Sequence, residues 1–554
     1  MCGIAGILGD LCINRGNIYR MCDALQHRGP DGQGVYFDER SSLALGHKRL
    51  SVIDLSDNGA QPMISDDGRW IISFNGEIYN HFELRTEFLE DKQWKGTSDT
   101  ETLVAMIQEY GVNKTLDVIR GMFAIAAWDK RSEKLYLFRD AMGEKPLYYG
   151  KVKSSFVFAS EISAIEALSE FDREIDINVL GTYFRYGYIP APQSIYKNVK
   201  KLMPGGILCY QKGSEPIIRK WWNLDKIILN GKRERFAGAF NEAVDELEKI
   251  LKCAIKEQMK ADVPMGGFLS SGIDSSTIVS IMQSISNASI NTFSIGIDGK
   301  GNEAGVAKEI AGILGTNHHE YYLTLKDVIS IIPELSKVYS EPFADNSAIP
   351  TFLLNRFAKN YVTVSLSGDG GDELFGGYNI YFQAKRWWDI VRGSNDMSAR
   401  QKLISEGVSE YKTEKYLRCT CIEDIYLYYY DYDESLANMN LFCSDKDSKR
   451  GFVENDIEKL MLLNQKQYMP DDCLVKVDRA GMAVSMENRI PLLDKRIVRF
   501  AWSLPAEYKF ETGNSKKILR SILYKYLPRE LMERPKCGFN IPISELMKDE
   551  RLRE

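Results

Sequence analysis

The chain is 554 residues long with a net charge of −6, and 44% of its residues are hydrophobic and 27% charged. At roughly 100–200 residues per domain that length predicts several domains rather than one core. The mild acidity excludes a protein that coats nucleic acid or an anionic membrane, and the ordinary composition excludes collagen, coiled coil and global disorder. Ten cysteines at irregular spacing give no disulfide framework and read as reduced thiols. The N-terminal residues lack the basic start and apolar core of a signal peptide, and no run approaches the ~18 apolar residues of a membrane helix. A cytoplasmic protein without membrane insertion is expected.

From Met1 to about Leu224, short β-type segments are punctuated by glycine. Cys2–Leu8, Leu43–Gly46, Trp70–Phe74, Met122–Trp128, Lys134–Arg139 and Ser155–Ala159 read as strands, and Asp99–Tyr110 as a helix with apolar residues at 3.6-type spacing. This predicts an antiparallel α+β domain over residues 1–224, ending after the proline- and glycine-rich stretch Tyr188–Gly206. From Phe236 the rhythm changes. Glu242–Met259, Thr277–Ser286 and Glu303–Leu314 read as helices, alternating with strands at Met265–Leu269, Asn291–Ile297 and Val362–Leu366. Such alternation predicts an α/β domain over residues 225–554, a parallel sheet covered by helices, with mostly helical additions beyond about Arg386.

Cys2 becomes N-terminal once the initiator methionine is removed. Its α-amine, with a pKa of about 8, then lies within reach of its own thiol, so one residue can supply nucleophile and base. A lone N-proximal cysteine is usually a bystander, but this one has companions. In chain order they are His27-Arg28-Gly29-Pro30-Asp31-Gly32, Gly46-His47-Lys48-Arg49-Leu50-Ser51, Phe74-Asn75-Gly76-Glu77-Ile78-Tyr79-Asn80 and Ser98-Asp99-Thr100-Glu101. With Cys-Gly-Ile-Ala-Gly at the start, and Arg139-Asp140 and Gly143–Tyr149 further on, the series resembles the glutaminase domain of class II glutamine amidotransferases. The resemblance implies an N-terminal-nucleophile (αββα) fold in which Cys2 attacks the glutamine carboxamide. It assigns the oxyanion to the Asn75 side chain and the Gly76 N–H, as charge developing on that oxygen requires fixed donors. A bound amino acid also presents a carboxylate, onto which Arg49 can fork, and an ammonium, which Glu77 and Asp99 can take. Outside this constellation Arg49 reads as a structural ion pair and Asn75-Gly76 as a plain turn.

Met265-Gly266-Gly267-Phe268-Leu269-Ser270-Ser271-Gly272-Ile273-Asp274-Ser275-Ser276 reads as a buried strand, a small-residue loop and the start of a helix. Loop N–H groups and a helix N-terminus suit phosphate, and the hydroxyls add donors. No Gly-Lys-Ser/Thr follows, so this is not a Walker loop. It resembles the Ser-Gly-Gly-X-Asp-Ser pyrophosphate loop of ATP pyrophosphatases, with Ser271 at the first loop glycine. A second loop, Ser365–Tyr378, holds three acids among five glycines, a composition that suits Mg²⁺ together with phosphate oxygens.

The resemblance implies ATP held by Leu269, Ser270, Gly272, Asp274, Ser275, Ser276, Ile295, Ser367 and Gly368, with Leu269 and Ile295 touching adenine. It implies Mg²⁺ on Asp274 and Asp372, Asp369 in acyl-adenylate formation, and Lys536, in Arg534–Phe539, neutralising phosphate charge. Both halves together resemble glutamine-hydrolysing asparagine synthetases, in which ammonia freed at the first site crosses an internal channel to a carboxylate activated by ATP. A homodimer is a family-level expectation.

Aspartate is the default acceptor. The segment Glu341–Thr351, however, has no arginine before Arg356, and Ser-Gly-Asp-Gly-Gly-Asp-Glu and Arg-Pro-Lys-Cys-Gly-Phe also resemble the divergent branch associated with bacterial polysaccharide assembly. A sugar uronic acid is therefore the competing acceptor. A glutaminase-only enzyme is disfavoured by the intact ATP loops, and a silent scaffold by the retention of Cys2, Asp274 and Asp372. Cys419-Thr420-Cys421 has no second pair with which to form a metal-thiolate site.

Overall fold

The computed structural model describes residues 1–297, 303–430 and 451–533. Lys536 and its motif lie outside the described residues. The N-terminal strands are β1 (Gly3–Leu8), β2 (Gly32–Asp38), β3 (Leu43–Arg49), β4 (Met63–Ile64), β5 (Trp70–Ile78), β6 (Gly121–Asp129), β7 (Lys134–Arg139), β8 (Tyr148–Val152), β9 (Ser155–Ala159), β10 (Val199–Lys201), β11 (Gly206–Tyr210) and β12 (Ile217–Lys220). They form two antiparallel six-stranded sheets, ordered β10-β8-β9-β1-β3-β2 and β12-β11-β7-β6-β5-β4.

The two-residue period of a strand explains how the layers stack. Along β6, Ala124, Ala126 and Trp128 join Ile4, Leu8, Leu43 and Leu45 between the sheets. Phe123, Ile125 and Ala127 of the same strand pack outward on Leu103, Met106 and Ile107 of the helix Asp99–Val118. Helices Gly16–Asp23 and Ile162–Glu166 cover the outer face of the other sheet. The result is the αββα stack expected of an N-terminal-nucleophile fold.

The second half holds a five-stranded parallel sheet of β13 (Met265–Phe268), β14 (Asn291–Ile297), β15 (Asn317–Leu323), β16 (Val364–Leu366) and β17 (Glu487–Arg489), ordered β15-β14-β13-β16-β17. From β13 the chain builds outward through β14 and β15, then returns to the other side of β13 as β16. The loops after β13 and β16 therefore leave the sheet on either side of a topological switch point, where open α/β sheets form their crevices. Helices Asn379–Gly393, Asp396–Ser405, Glu410–Tyr416, Ile422–Tyr429 and Asp456–Lys466 make up much of the helical addition.

Several elements differ from the sequence reading. β5 does not stop at Phe74, because its ladder with β6 continues residue by residue from Trp70↔Asp129 to Ile78↔Gly121. Asn75-Gly76 is thus strand rather than turn. The helix predicted to end at Tyr110 continues to Val118 across a kink at Gly111, whose φ is +72°. The helix predicted from Thr277 begins at Ile273, so Asp274, Ser275 and Ser276 form its first turn. β15 and β17 were not predicted. β15 is a polar edge strand, and β17 is a buried strand reading Glu-Asn-Arg.

The two halves meet over buried charges surrounding apolar packing. Arg28, fully buried, bonds Glu161 Oε1 at 2.7 Å and both oxygens of Asp478 at 2.8 and 3.1 Å. Arg479 pairs with the same Glu161 at 2.6 Å, and Lys145 lies 3.5 Å from Asp478. Burial alone would push Glu161 up, but Arg479, His27 and Arg28 outweigh it and hold the carboxyl well below its ordinary range. Met1, Leu50, Val52, Tyr79, Met122, Ala141 and Met142 share one hydrophobic cluster with Leu269, Leu366, Leu492 and Leu493 of the other half. No helix among the described residues is long and apolar enough to cross a membrane.

Removing one partner from a buried ion cluster strands the others, at a cost of about 3–5 kcal/mol. Arg28→Ala should therefore lose about 3–5 kcal/mol in denaturant unfolding. An unchanged midpoint would show that Arg479 alone sustains Glu161 and that Arg28 bears no interface load.

Candidate active sites

Cys2 immediately precedes β1, 6% exposed, in a recess lined also by Met1, Arg49, Gly76, Glu77, Ser98, Asp99 and Glu487. The residue-2 nitrogen donates to Asn75 Oδ1 at 2.9 Å, and the thiol approaches the Leu50 carbonyl at 3.9 Å. Burial pushes the Cys2 thiol up, and the adjacent chain-terminal ammonium partly counters this. Arg28 Nε bonds the Cys2 carbonyl at 3.0 Å, so the backbone of the candidate nucleophile is tied to the interface clamp.

Two buried polar atoms of this recess have no hydrogen-bond partner among the described residues: Asn75 Nδ2 and Glu77 Oε1. Leaving such atoms unmade is costly in a finished fold, and it is what a site awaiting a polar ligand would show. Gly76 is required by space as well as by angle. Its φ is +153°, and a Cβ there would run into the Met122 carbonyl oxygen. Asp99 Oδ2 accepts from the Ile78 N–H at 2.8 Å. Arg49 is at the rim, donating to the Ser56 carbonyl at 2.7 Å and to the Asp54 carbonyl. The structure thus brings together Cys2, Asn75, Gly76, Glu77 and Asp99, with Arg49 engaged by loop carbonyls at the edge.

The second site is a cleft of about 680 Å³ at the switch point between β13 and β16. Its lining includes Leu269, Ser270, Gly272, Asp274, Ser275, Ile295, Ser367, Gly368, Asp369 and Asp372, but not Ser276, which is fully buried behind the loop. The first loop is knitted by its own hydroxyls. Ser270 Oγ lies 2.8 Å from Ser275 Oγ and accepts from the Gly272 N–H at 3.1 Å. The second loop presses on the first, and a Cβ at Gly368 would stand 2.5 Å from the Ser275 nitrogen. Asp369 accepts from Ser367 Oγ at 2.7 Å, and Cys473 Sγ lies 3.5 Å from its other oxygen.

Two lysines that sequence alone did not single out complete this cleft. Lys516, buried and held in the left-handed region at φ +55°, reaches Asp274 Oδ2 and, at 2.7 Å, Asp372 Oδ1. A non-glycine residue in that region is strained, so the fold is holding the ammonium between the two acids. Ser515-Lys516-Lys517 carries no local pattern that would have revealed this. Lys476, from the helix Leu474–Met482, donates to Asp345 Oδ2 and Ser347 Oγ, each at 2.7 Å. It thereby supplies a cation to the segment in which the sequence showed none. Burial and neighbouring Asp345 push the Asp472 carboxyl well up, favouring its neutral form.

The glutamine amidotransferase domain model matches residues 1–222, and the asparagine synthase model matches residues 246–554. Among curated relatives, glutamine-hydrolysing asparagine synthetase 1 of Bacillus subtilis is 33% identical over 99% of this chain and 88% of its own. A putative glutamine-hydrolysing asparagine synthetase 2 of Methanocaldococcus jannaschii is 34% identical over 87% of this chain and 98% of its own. Glutamine phosphoribosylpyrophosphate amidotransferase from B. subtilis, a solved structure, aligns over 58% of this chain and 65% of its own, with 16% identity and a TM-score of 0.30. A glutamine amidotransferase domain joined to a synthase domain defines a two-domain amidotransferase. The chain belongs to the family of glutamine-hydrolysing asparagine synthetases.

Because the Met122 carbonyl is fixed in the β5–β6 ladder, Gly76→Ala should cost on the order of 1–3 kcal/mol. Thermal unfolding reads this directly. A neutral result would mean that the strand can slide past the clash.

Proposed function

We propose that the protein transfers the amide nitrogen of glutamine to a carboxylate that ATP activates as an acyl-adenylate, with release of AMP and pyrophosphate and with aspartate as the acceptor. The observation that carries the first half is the pair of unpartnered buried atoms beside Cys2, Asn75 Nδ2 and Glu77 Oε1. In this reading methionine removal leaves the Cys2 amine as general base. The thiolate attacks the carboxamide carbon, and Asn75 Nδ2 with the Gly76 N–H receives the oxyanion. The amine then returns its proton to the departing ammonia. Glu77 and Asp99 take the substrate ammonium, and Arg49 turns from its loop carbonyls to the carboxylate. Ammonia would cross the interface through the apolar cluster of Met142, Leu366 and Leu493 rather than through solvent.

At the second site the N-terminus of the helix Ile273–Ile285, the loop N–H groups and the hydroxyls of Ser270 and Ser275 would hold the pyrophosphate. Ser276 would support that loop from behind, while Leu269 and Ile295 flank the adenine and Ser367 and Gly368 close over the phosphates. Asp274 and Asp372 already draw one ammonium between them, so hard oxygen donors are set at the spacing a small cation needs. These two would hold Mg²⁺, which when bound supplies neutralising charge to the phosphate oxygens. No group of three or more His, Cys, Asp or Glu side chains able to hold a metal occurs among the described residues, so the remaining ligands would be phosphate or water. Asp369 serves adenylation at the same edge.

Lys476 favours the aspartate reading. Its ammonium lines the cleft and can meet the second carboxylate of that acceptor. The relatives named as asparagine synthetases agree with this choice. A uronic acid is the second reading, motivated by the segment Glu341–Thr351 without an arginine.

Cys2→Ala should abolish glutamine-dependent amidation while leaving ammonia-dependent amidation intact. Loss of both would overturn the two-site scheme. With ammonia as donor, pyrophosphate release should rise on addition of aspartate and stay at background with glucuronate and galacturonate. The opposite pattern would move the acceptor to the uronate class.

A further inference from the structure

We propose that Arg489 is a positioning residue for glutamine, a cation of the synthetase sheet that holds the Glu77 carboxylate of the glutaminase recess ready for the amino acid's ammonium. This rests on the glutamine reading of the recess at Cys2 and deepens it, because part of the recess's affinity would then reside in the other domain.

Arg489 ends β17 and is fully buried. Three contacts within its own half fix the guanidinium plane. Nε bonds Glu487 Oε1 at 2.7 Å, and Nη1 bonds the carbonyls of Gln258 and Lys260, each at 2.7 Å. The remaining end of the fork, Nη2, crosses the interface to Glu77 Oε2 at 3.4 Å. A planar, pre-organised guanidinium held this way has little freedom to point elsewhere. Glu77 therefore offers one oxygen to the synthetase half and keeps the other, Oε1, without a partner in the recess.

The charges around Glu77 make the contact matter. Burial and then Asp99, from the helix Asp99–Val118, push its carboxyl well up, and Glu487 of β17 adds to this. Arg489 is the foremost opposing charge, followed by the chain-terminal ammonium. Tyr79, two residues on, has its ring 5.6 Å from the same guanidinium. Arg489 is thus the main charge that works against this push, and its removal would drive Glu77 further toward the neutral form, which cannot make the charge-assisted bond that an ammonium requires.

The same residue also reaches the second site. Its carbonyl accepts from the Ser367 N–H at 3.0 Å, and Arg489 pairs with Leu366 in the β16–β17 register. The strand that aims the fork at Glu77 is thus hydrogen-bonded to the loop that begins Ser367-Gly368-Asp369.

The test uses the full-length enzyme with Arg489→Gln, which keeps donors but removes charge, and Arg489→Lys, which keeps charge but removes the fork. Glutamine hydrolysis is measured alongside alkylation of Cys2 by two probes. One is iodoacetamide; the other is a diazoketone analogue of glutamine that retains the α-ammonium and carboxylate. Arg489→Gln should raise the KM for glutamine roughly 10–100-fold with kcat within about threefold, the scale of a lost charge-assisted bond. It should slow the diazoketone by a similar factor and leave iodoacetamide labelling unchanged, and Arg489→Lys should recover part of the loss. An unchanged KM would overturn the proposal, as would both probes slowing together or Arg489→Lys being no better than Arg489→Gln. Should Arg489→Gln not fold, Arg489→Lys against wild type reads the same ratio between probes, and an unchanged ratio overturns the proposal. A wild-type enzyme whose Cys2 is labelled by iodoacetamide but ignores the diazoketone would overturn the glutamine reading itself, a result distinct from any behaviour of the variants.

Discussion

A guanidinium buried away from water must be matched by charge and hydrogen bonds, or the fold that contains it does not persist. Arg28 meets that demand with three groups from different parts of the chain: the Cys2 carbonyl, Glu161 at the end of the first sheet, and Asp478 on the helix Leu474–Met482. No one domain can satisfy it. Through this one side chain the candidate nucleophile, the first sheet and the helix Leu474–Met482 are tied together. Arg479 and Lys145 extend the cluster, so each of the two carboxylates has more than one cation.

Around that clamp the interface separates its chemistry. Charged groups gather at Arg28, Asp478 and Glu161 and again at Glu77, Glu487 and Arg489, while Met1, Val52, Met122 and Met142 pack on Leu366 and Leu493. Apolar packing suits a small neutral molecule such as ammonia, because ammonium would have to shed its hydration to enter. Met1 belongs to this packed region and its amine is paired with Glu487. Methionine removal would therefore vacate buried volume beside Cys2 as well as free the amine.

What could be read from the sequence was whatever the chemistry demands locally. Asn75-Gly76-Glu77 and Ser270–Ser276 are contiguous because the oxyanion cradle and the phosphate loop proposed for them are each made by one strand end or one turn. Lys516, Lys476 and Arg489 are equally well placed but come from segments with no pattern of their own; a lysine's partner is set by tertiary packing, which a single sequence does not print. The fold shows the same division. Strands with both faces apolar, such as β6 and β7, were legible, whereas β17 reads Glu-Asn-Arg and is a buried strand only because Glu77, the chain terminus and two carbonyls await its charges. The extent of β5 was hidden for a related reason, since it is the β6 partner rather than any residue of β5 that carries the ladder through Gly76.

The two ATP-type loops place different demands on glycine. Ser271 stands where the resemblance expects glycine, yet it is absent from the residues with positive φ, so the first loop makes no conformational demand that serine fails to meet. The second loop does make such a demand. Gly370 sits at φ +87°, and a Cβ at Gly368 or Gly371 would press into Ser275 or Asp274 of the first loop. Closeness between the loops is therefore secured from one side only, by glycines that let the β16 loop lie against the start of the helix Ile273–Ile285. That asymmetry leaves the first loop free to vary in its small residues, because its hydroxyl network and helix start, rather than its backbone angles, present donors to the cleft.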